Sequence, residues 1–275
     1  MSRIAATFAR TRAEKRPAVM PFLTVGYPDL AATPALVEAL VAGGADMVEL
    51  GIPFSDPLAD GVTIQRAGLT ALEQGVTAGD CLEVVRELRS RGLEIPILLM
   101  GYYNPILAYG PEAFVADLAA AGGDGLIAVD LPPEESEELR GLCRAHGLDL
   151  IYLLAPTSGS ERIAKVAALA SGFLYCVSVA GVTGARTELP PGLSDFVREV
   201  RASTDLPLVV GFGISQREHI VAAAAMGLDG AVVGSAIINV IERSDTYEKA
   251  KKVREYVEVL TGHRRINTRR HDGKG

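Results

Sequence analysis

Residues 49–61 read Glu-Leu-Gly-Ile-Pro-Phe-Ser-Asp-Pro-Leu-Ala-Asp-Gly. Glu49 lies within a short apolar run, and Ser55, Asp56 and Asp60 follow on a segment stiffened by Pro53 and Pro57. A carboxyl group among apolar neighbours is desolvated, which raises its pKa toward the value that general acid–base work at neutral pH requires. A second acid on the adjoining loop can flank the same bound molecule. The competing reading is that Glu49 is a buried structural carboxylate and the aspartates cap turns. Spacing alone leaves both open.

A second pattern is glycine after apolar runs late in the chain: Ala180-Gly181-Val182-Thr183-Gly184-Ala185, Gly211-Phe212-Gly213-Ile214-Ser215 and Gly234-Ser235-Ala236. Glycine lets backbone N–H groups approach an anion, and a following helix N-terminus favours a phosphate dianion. Tight turns use glycine too, so it is the co-occurrence of the motifs that points to phosphate. The last two contain no Lys or Arg, so neutral donors would hold the anion. The segment 181–192, with glycines at both ends, two Thr, one Arg and Pro190-Pro191, has the composition of a lid that excludes water or of an ordinary long loop. Tyr175 could offer its hydroxyl to a substrate or be a core tyrosine. Phe22 and Phe212 could form an apolar slot for a ring or simply be core. The histidines, His146, His219, His263 and His271, have no ligand spacing and read as surface residues; no metal site is expected.

These groups need a scaffold. Eight short apolar runs recur: 19–25, 47–50, 95–100, 126–129, 150–154, 173–179, 208–212 and 231–233. Segments of helical period separate them, such as 31–41, 83–91, 111–121, 133–146, 161–170, 194–202 and 217–226. Thr33-Pro34, Pro111, and Ser215 three residues before Glu218 read as helix starts. Eight strands each followed by helix predict a (β/α)8 barrel, whose strand C-termini carry the chemistry and whose last loops often hold phosphate. A doubly wound sheet is the rival, but Gly26-Tyr27-Pro28 after the first run is not its glycine fingerprint. Three turns echo one another before a strand: Gly43-Gly44-Ala45-Asp46, Gly122-Gly123-Asp124 and Gly227-Leu228-Asp229. Each pairs a helix-ending glycine with a polar turn. The Arg/Ala-rich segment 3–16 faintly resembles a transit peptide but reads better as an amphipathic extra helix at the N-terminus.

One domain, residues 1–260, is the expected organisation of the 275 residues, with 261–275 a flexible, short basic tail. With 48% hydrophobic and 22% charged residues the chain is neither disordered nor short of core. A net charge of −7 argues against nucleic acid or an anionic membrane as the main partner. Cys81, Cys143 and Cys176 are far apart and read as reduced, packed thiols of a cytoplasmic protein. No apolar stretch approaches the ~20 residues a membrane span requires.

The segment 49–61 with Ile64-Gln65, the motifs Ser178–Gly184 and Gly211–Ser215, and Val233–Ala236 together resemble the tryptophan synthase alpha chain family over residues 1–260. The resemblance implies a lyase that splits indole-3-glycerol phosphate into indole and glyceraldehyde 3-phosphate. It implies work as the alpha subunit of an α2β2 heterotetramer that passes indole to the beta chain, and that chain carries pyridoxal phosphate; no cofactor is implied in this one. By the same resemblance Glu49 is the acid–base group and Asp60 the anionic partner of the ring N–H. Phe22, Ile64, Met100, Ile127, Tyr175 and Phe212 line the substrate, and Thr183 touches Asp60 from the lid. Gly184, Gly213, Gly234 and Ser235 hold the phosphate, and Asp56 communicates with the beta chain. Val62 replaces a common proline, which implies a less rigid loop. Val179 replaces a polar or basic residue, which bears on lid closure.

Overall fold

The computed structural model describes residues 1–177, 192–211 and 213–263. Strands β1 (Ala18–Thr24), β2 (Val48–Gly51), β3 (Ile97–Gly101), β4 (Gly125–Ala128), β5 (Asp149–Leu154), β6 (Leu174–Val177), β7 (Leu208–Gly211) and β8 (Gly230–Val233) pair in parallel and in chain order. β8 returns to β1 with Ala231 opposite Val19 and Val233 opposite Pro21, closing the barrel. The (β/α)8 expectation holds, and each apolar run lies within two residues of a strand.

Two apolar layers explain why these strands read as unbroken runs rather than alternating ones. Val19, Leu23, Val48, Leu50, Leu99 and Leu126 pack outward under the helices. Met20, Phe22, Met47, Leu98, Ile127, Tyr175, Val209 and Val232 fill the interior. Both faces of each strand are therefore buried. Side chains alternate with period 2, so Glu49, between outward Val48 and Leu50 and two residues after inward Met47, is directed inside.

The N-terminal helix, Arg3–Ala13, closes the opposite end. Its buried stripe is Ile4, Thr7, Phe8 and Thr11, and Ile4 and Phe8 join the interior cluster. Phe8 meets Phe173 edge-on at 5.8 Å between ring centroids. Burial of these two apolar side chains contributes roughly 3–6 kcal/mol. The echoed turns supply its anchors. Asp46, Asp124 and Asp229 accept the backbone N–H of Val19, Ile97 and Leu208 at 3.0, 2.8 and 2.9 Å. Each also binds an arginine of the first helix: Arg10 to Asp46 at 2.7 Å, Arg3 to Asp124 at 3.1 Å and Arg12 to Asp229 at 3.1 Å. Gly44, Gly122 and Gly227, at φ +97°, +90° and +90°, make the helix-ending turns that present these carboxylates.

Some helix starts differ from the sequence reading. Thr33 is the first residue of its helix, not the cap; Asp29 holds the Ala32 N–H at 2.8 Å, and the Thr33 hydroxyl accepts from Gly26 at 3.1 Å. Gln216, not Ser215, precedes the helix Arg217–Ala225, without a side-chain cap. The helix expected at 83–91 begins at Ala78, behind a reciprocal capping box of Thr77 and Asp80. The segment 133–146 divides into a single 3-10 turn and the helix Glu137–Ala145. Four helices outside the segments singled out in the sequence are Val62–Glu73, Tyr103–Tyr109, Ser235–Arg243 and Lys249–Thr261. The three cysteines are buried free thiols. Among the described residues no helix is long and apolar enough to cross a membrane.

Candidate active site

Glu49 stands opposite Phe22 of β1 and Leu98 of β3 in the strand register. It is fully buried, and neither carboxyl oxygen has a hydrogen-bond partner among the described residues. Burial alone pushes its pKa up to about 8, because an anion there would lose its water and gain no hydrogen bond from the described residues. At pH 7 the group is mainly protonated.

Asp60 arrives from the loop after β2. Burial raises its pKa and a hydrogen bond from the Tyr102 hydroxyl opposes the rise, leaving it at about 6. At pH 7 it is mainly ionised. The Tyr102 O–H donates to Asp60 Oδ2 at 3.2 Å, and the Tyr102 hydroxyl oxygen accepts the Ala59 N–H at 2.9 Å. Gln65 braces the loop from the helix Val62–Glu73, its Nε2 donating to the Asp60 and Pro57 carbonyls at 2.9 and 3.3 Å. Val62 is the first residue of that helix, behind Gly61, a position that proline also suits. The helix therefore starts there without proline, and the loop is held from its own backbone.

The Tyr175 hydroxyl lies within electrostatic reach of both acids. Burial raises its pKa well above the usual value, and the nearby charges of Glu49 and Asp60 raise it further. Glu49 and Asp60 therefore both lie near Tyr175. Tyr175 is pressed against β7, where a Cβ on Gly211 would lie 2.1 Å from its hydroxyl oxygen, so only glycine fits beside it. Phe22, Ile127 and Tyr175 belong to the interior cluster, with Ile64 and Met100 packed against it. A cleft at the strand C-termini is lined by Phe22, Ile64, Met100 and Asp60, and also by Phe54, Tyr102 and Thr24. The last three were not singled out in the sequence. Tyr102 follows directly after β3, so the strand-end rule applied to every strand would have selected it. Thr24 ends β1 and its buried Oγ1 has no partner among the described residues.

Gly213 (φ +77°) is exposed just after β7, and Gly234 precedes the helix Ser235–Arg243. First-turn amides of such a helix have no acceptor within it. Among the described residues this end of the barrel therefore offers neutral donors without a cation in either motif. Asp56 is exposed on the loop that carries Asp60. Thr183, Gly184 and Phe212, together with the expected lid, Val179 and the basic tail from Arg264 onward, lie outside the described residues. One expectation fails: His219 is only 2% exposed, a buried residue of the helix after β7 rather than a surface one. Among the described residues no group of three or more His, Cys, Asp or Glu side chains could hold a metal ion.

Comparison with known proteins agrees with this geometry. A family model described as "Tryptophan synthase alpha chain" matches residues 8–266. The tryptophan synthase alpha chain of Chloroflexus aurantiacus is 56% identical over 260 residues, spanning 94% of this chain and 97% of the relative. The crystal structure of tryptophan synthase subunit alpha from Legionella pneumophila superposes with a TM-score of 0.85 at 39% identity, covering 95% of this chain and 98% of that one. A chain in the crystal structure of the tryptophan synthase complex from Pyrococcus furiosus superposes with a TM-score of 0.82 at 36% identity, covering 90% and 98%. The chain belongs to the tryptophan synthase alpha chain family.

Proposed function

We propose that this protein cleaves indole-3-glycerol phosphate to indole and glyceraldehyde 3-phosphate, as the alpha subunit of an α2β2 tryptophan synthase. The observation that carries the reading is a pair of buried carboxyl groups near one tyrosine, one mainly protonated and one mainly ionised at pH 7. Environments that push two acids apart divide the acid and base roles between them.

Cleavage between indole C3 and the glycerol carbon is a retro-aldol step. It needs a proton delivered to C3 and a proton removed from the neighbouring hydroxyl. Glu49 starts protonated and supplies the first; the carboxylate this leaves takes the second. Protonated indole carries positive charge on its ring N–H, and Asp60 is the anion that meets it. A charge-assisted bond of about 1.5–3 kcal/mol that strengthens as this cation forms is worth roughly ten- to a hundredfold in rate. Phe22, Ile64, Met100, Ile127, Tyr175 and Phe212 line the substrate, with Thr183 reaching Asp60. The amides of Gly184, Gly213, Gly234 and Ser235 hold the phosphate. The chain's own acids suffice for this chemistry, and pyridoxal phosphate is assigned to the beta partner.

Partner docking uses the catalytic face, because indole must leave there without crossing bulk water. Leu58 and Val62 are exposed beside Asp56 on that face, and Asp56 is assigned to communicate with the beta chain. The catalytic unit is residues 1–260, with 261–275 as an appended tail. Buried free thiols fit a reducing compartment, the cytoplasm. The deciding experiment is indole release from indole-3-glycerol phosphate with and without a beta chain. Indole release that rises strongly on adding the partner is expected. No release refutes the lyase, and release indifferent to the beta chain refutes the subunit role.

A further inference from the structure

Ser215 is gripped on both sides of its backbone by side chains from two different helices. Its N–H donates to Nδ1 of His219 at 3.2 Å, and its carbonyl accepts the hydroxyl of Tyr256. His219 lies on the helix Arg217–Ala225 and Tyr256 on the helix Lys249–Thr261. The two helices are also tied directly, Arg217 donating to the Leu260 carbonyl at 3.2 Å. Accepting at Nδ1 places the proton of a neutral imidazole on Nε2. That nitrogen is buried with no partner among the described residues. An apolar side chain would fill the same space without leaving a buried polar nitrogen unsatisfied, so what the imidazole adds at this position is its hold on Ser215. Burial pushes the Tyr256 hydroxyl up to about 12, and it remains a donor across the working range of pH.

The held residue sits two positions after Gly213, with buried Ile214 between them. A backbone amide is a weak, directional donor whose attraction falls steeply with misalignment. No Lys or Arg in this motif makes up for a poorly aimed N–H. We propose that His219 and Tyr256 are positioning residues that fix the turn 213–215 and so aim the Gly213 amide at the phosphate end of the substrate. The proposal rests on the reading of Gly213 as a phosphate donor. It makes the helix Lys249–Thr261, remote in sequence from every residue of the motif, part of the anion site's frame.

The test uses the full chain with its beta partner and the variants His219→Leu, His219→Asn and Tyr256→Phe. Inhibition by inorganic phosphate, KM, kcat and Tm are measured for each. Losing one net hydrogen bond to the turn weakens phosphate by about two- to tenfold. In His219→Leu and Tyr256→Phe the loss falls on phosphate affinity and KM, with a smaller change in kcat. Asn carries an acceptor oxygen where Nδ1 stood, so His219→Asn restores affinity. Because both side chains act on one residue, the double variant loses less than the product of the single losses. Unchanged phosphate affinity and KM with only a lower Tm overturns the proposal, as does a well-folded His219→Asn no better than His219→Leu. If His219→Leu does not fold, Tyr256→Phe and His219→Asn decide the matter on the same readouts. Failure of the underlying reading appears elsewhere: the parent chain itself then shows no inhibition by phosphate, and the proposal falls with it.

Discussion

Replacing Glu49 by Gln separates what this residue does for catalysis from what it costs the fold. Moving the carboxyl from an ordinary 4.5 to about 8 makes its ionised form dearer in the folded state by on the order of 5 kcal/mol, at 1.36 kcal/mol per tenfold. The folded pKa is raised, so stability is greatest below the unfolded value and declines as pH rises, levelling off above about 8. Linkage puts the penalty at about 1 kcal/mol at pH 5 and about 3 kcal/mol at pH 7. Glutamine has nearly the same shape and no charge, so Glu49→Gln escapes this dependence. Its stability relative to the parent is expected to improve by about 2 kcal/mol between pH 5 and pH 7. For a domain of this size that is a change of roughly 4–8 °C in the Tm difference. The assay is thermal unfolding of both proteins across that range, alongside indole release, which the variant should lose. A Tm difference that stays constant with pH would refute the buried, uncharged Glu49, and retained turnover would refute its proton-transfer role.

Tyr102→Phe removes the hydrogen bond that holds Asp60 down, so the Asp60 pKa rises above about 6. The acid limb of the kcat/KM profile then moves about one pH unit to the alkaline side; an unmoved limb shows that Tyr102 does not tune Asp60. Asp46 is buried, and burial would raise its pKa. The hydrogen bonds from Arg16, the Val19 N–H and Arg10 outweigh that and hold it below the ordinary range. Its contribution to stability is thus present above the ordinary carboxylate pKa and lost as pH falls through the lowered folded value. Asp46→Asn should cost about 2–4 kcal/mol in urea unfolding at pH 7 and less in acid, while leaving indole release intact below the melting range. An equal loss at every pH would show that charge is not what anchors the first helix.

Much of this protein is legible along the chain because its determinants are local. The eight strands are short and apolar on both faces, and glycine ends the helices that lead into several of them. A period of 2 places Glu49 on the inner face as soon as Val48 and Leu50 are assigned outward. The motif 49–61 carries the family with it. The echo of Gly44-Ala45-Asp46, Gly122-Gly123-Asp124 and Gly227-Leu228-Asp229 was visible as a repeat. Its purpose was not, since each of these aspartates is answered by an arginine of the first helix, far away in sequence.

What the sequence could not supply are the pairings that barrel closure creates. Tyr102 meets Asp60 because β3 ends beside the loop after β2. Tyr175 and Gly211 are complementary because β6 and β7 pair directly, with no room for a Cβ between the two residues. His219 looks like any polar residue on an amphipathic helix, and only packing shows it buried against the backbone of Ser215. Periodicity and turn chemistry are properties of neighbouring residues and can be read in one dimension. Desolvation, close approach and the partner of a buried polar atom depend on which distant segments exclude water from the same point, and only the closed barrel brings those segments together.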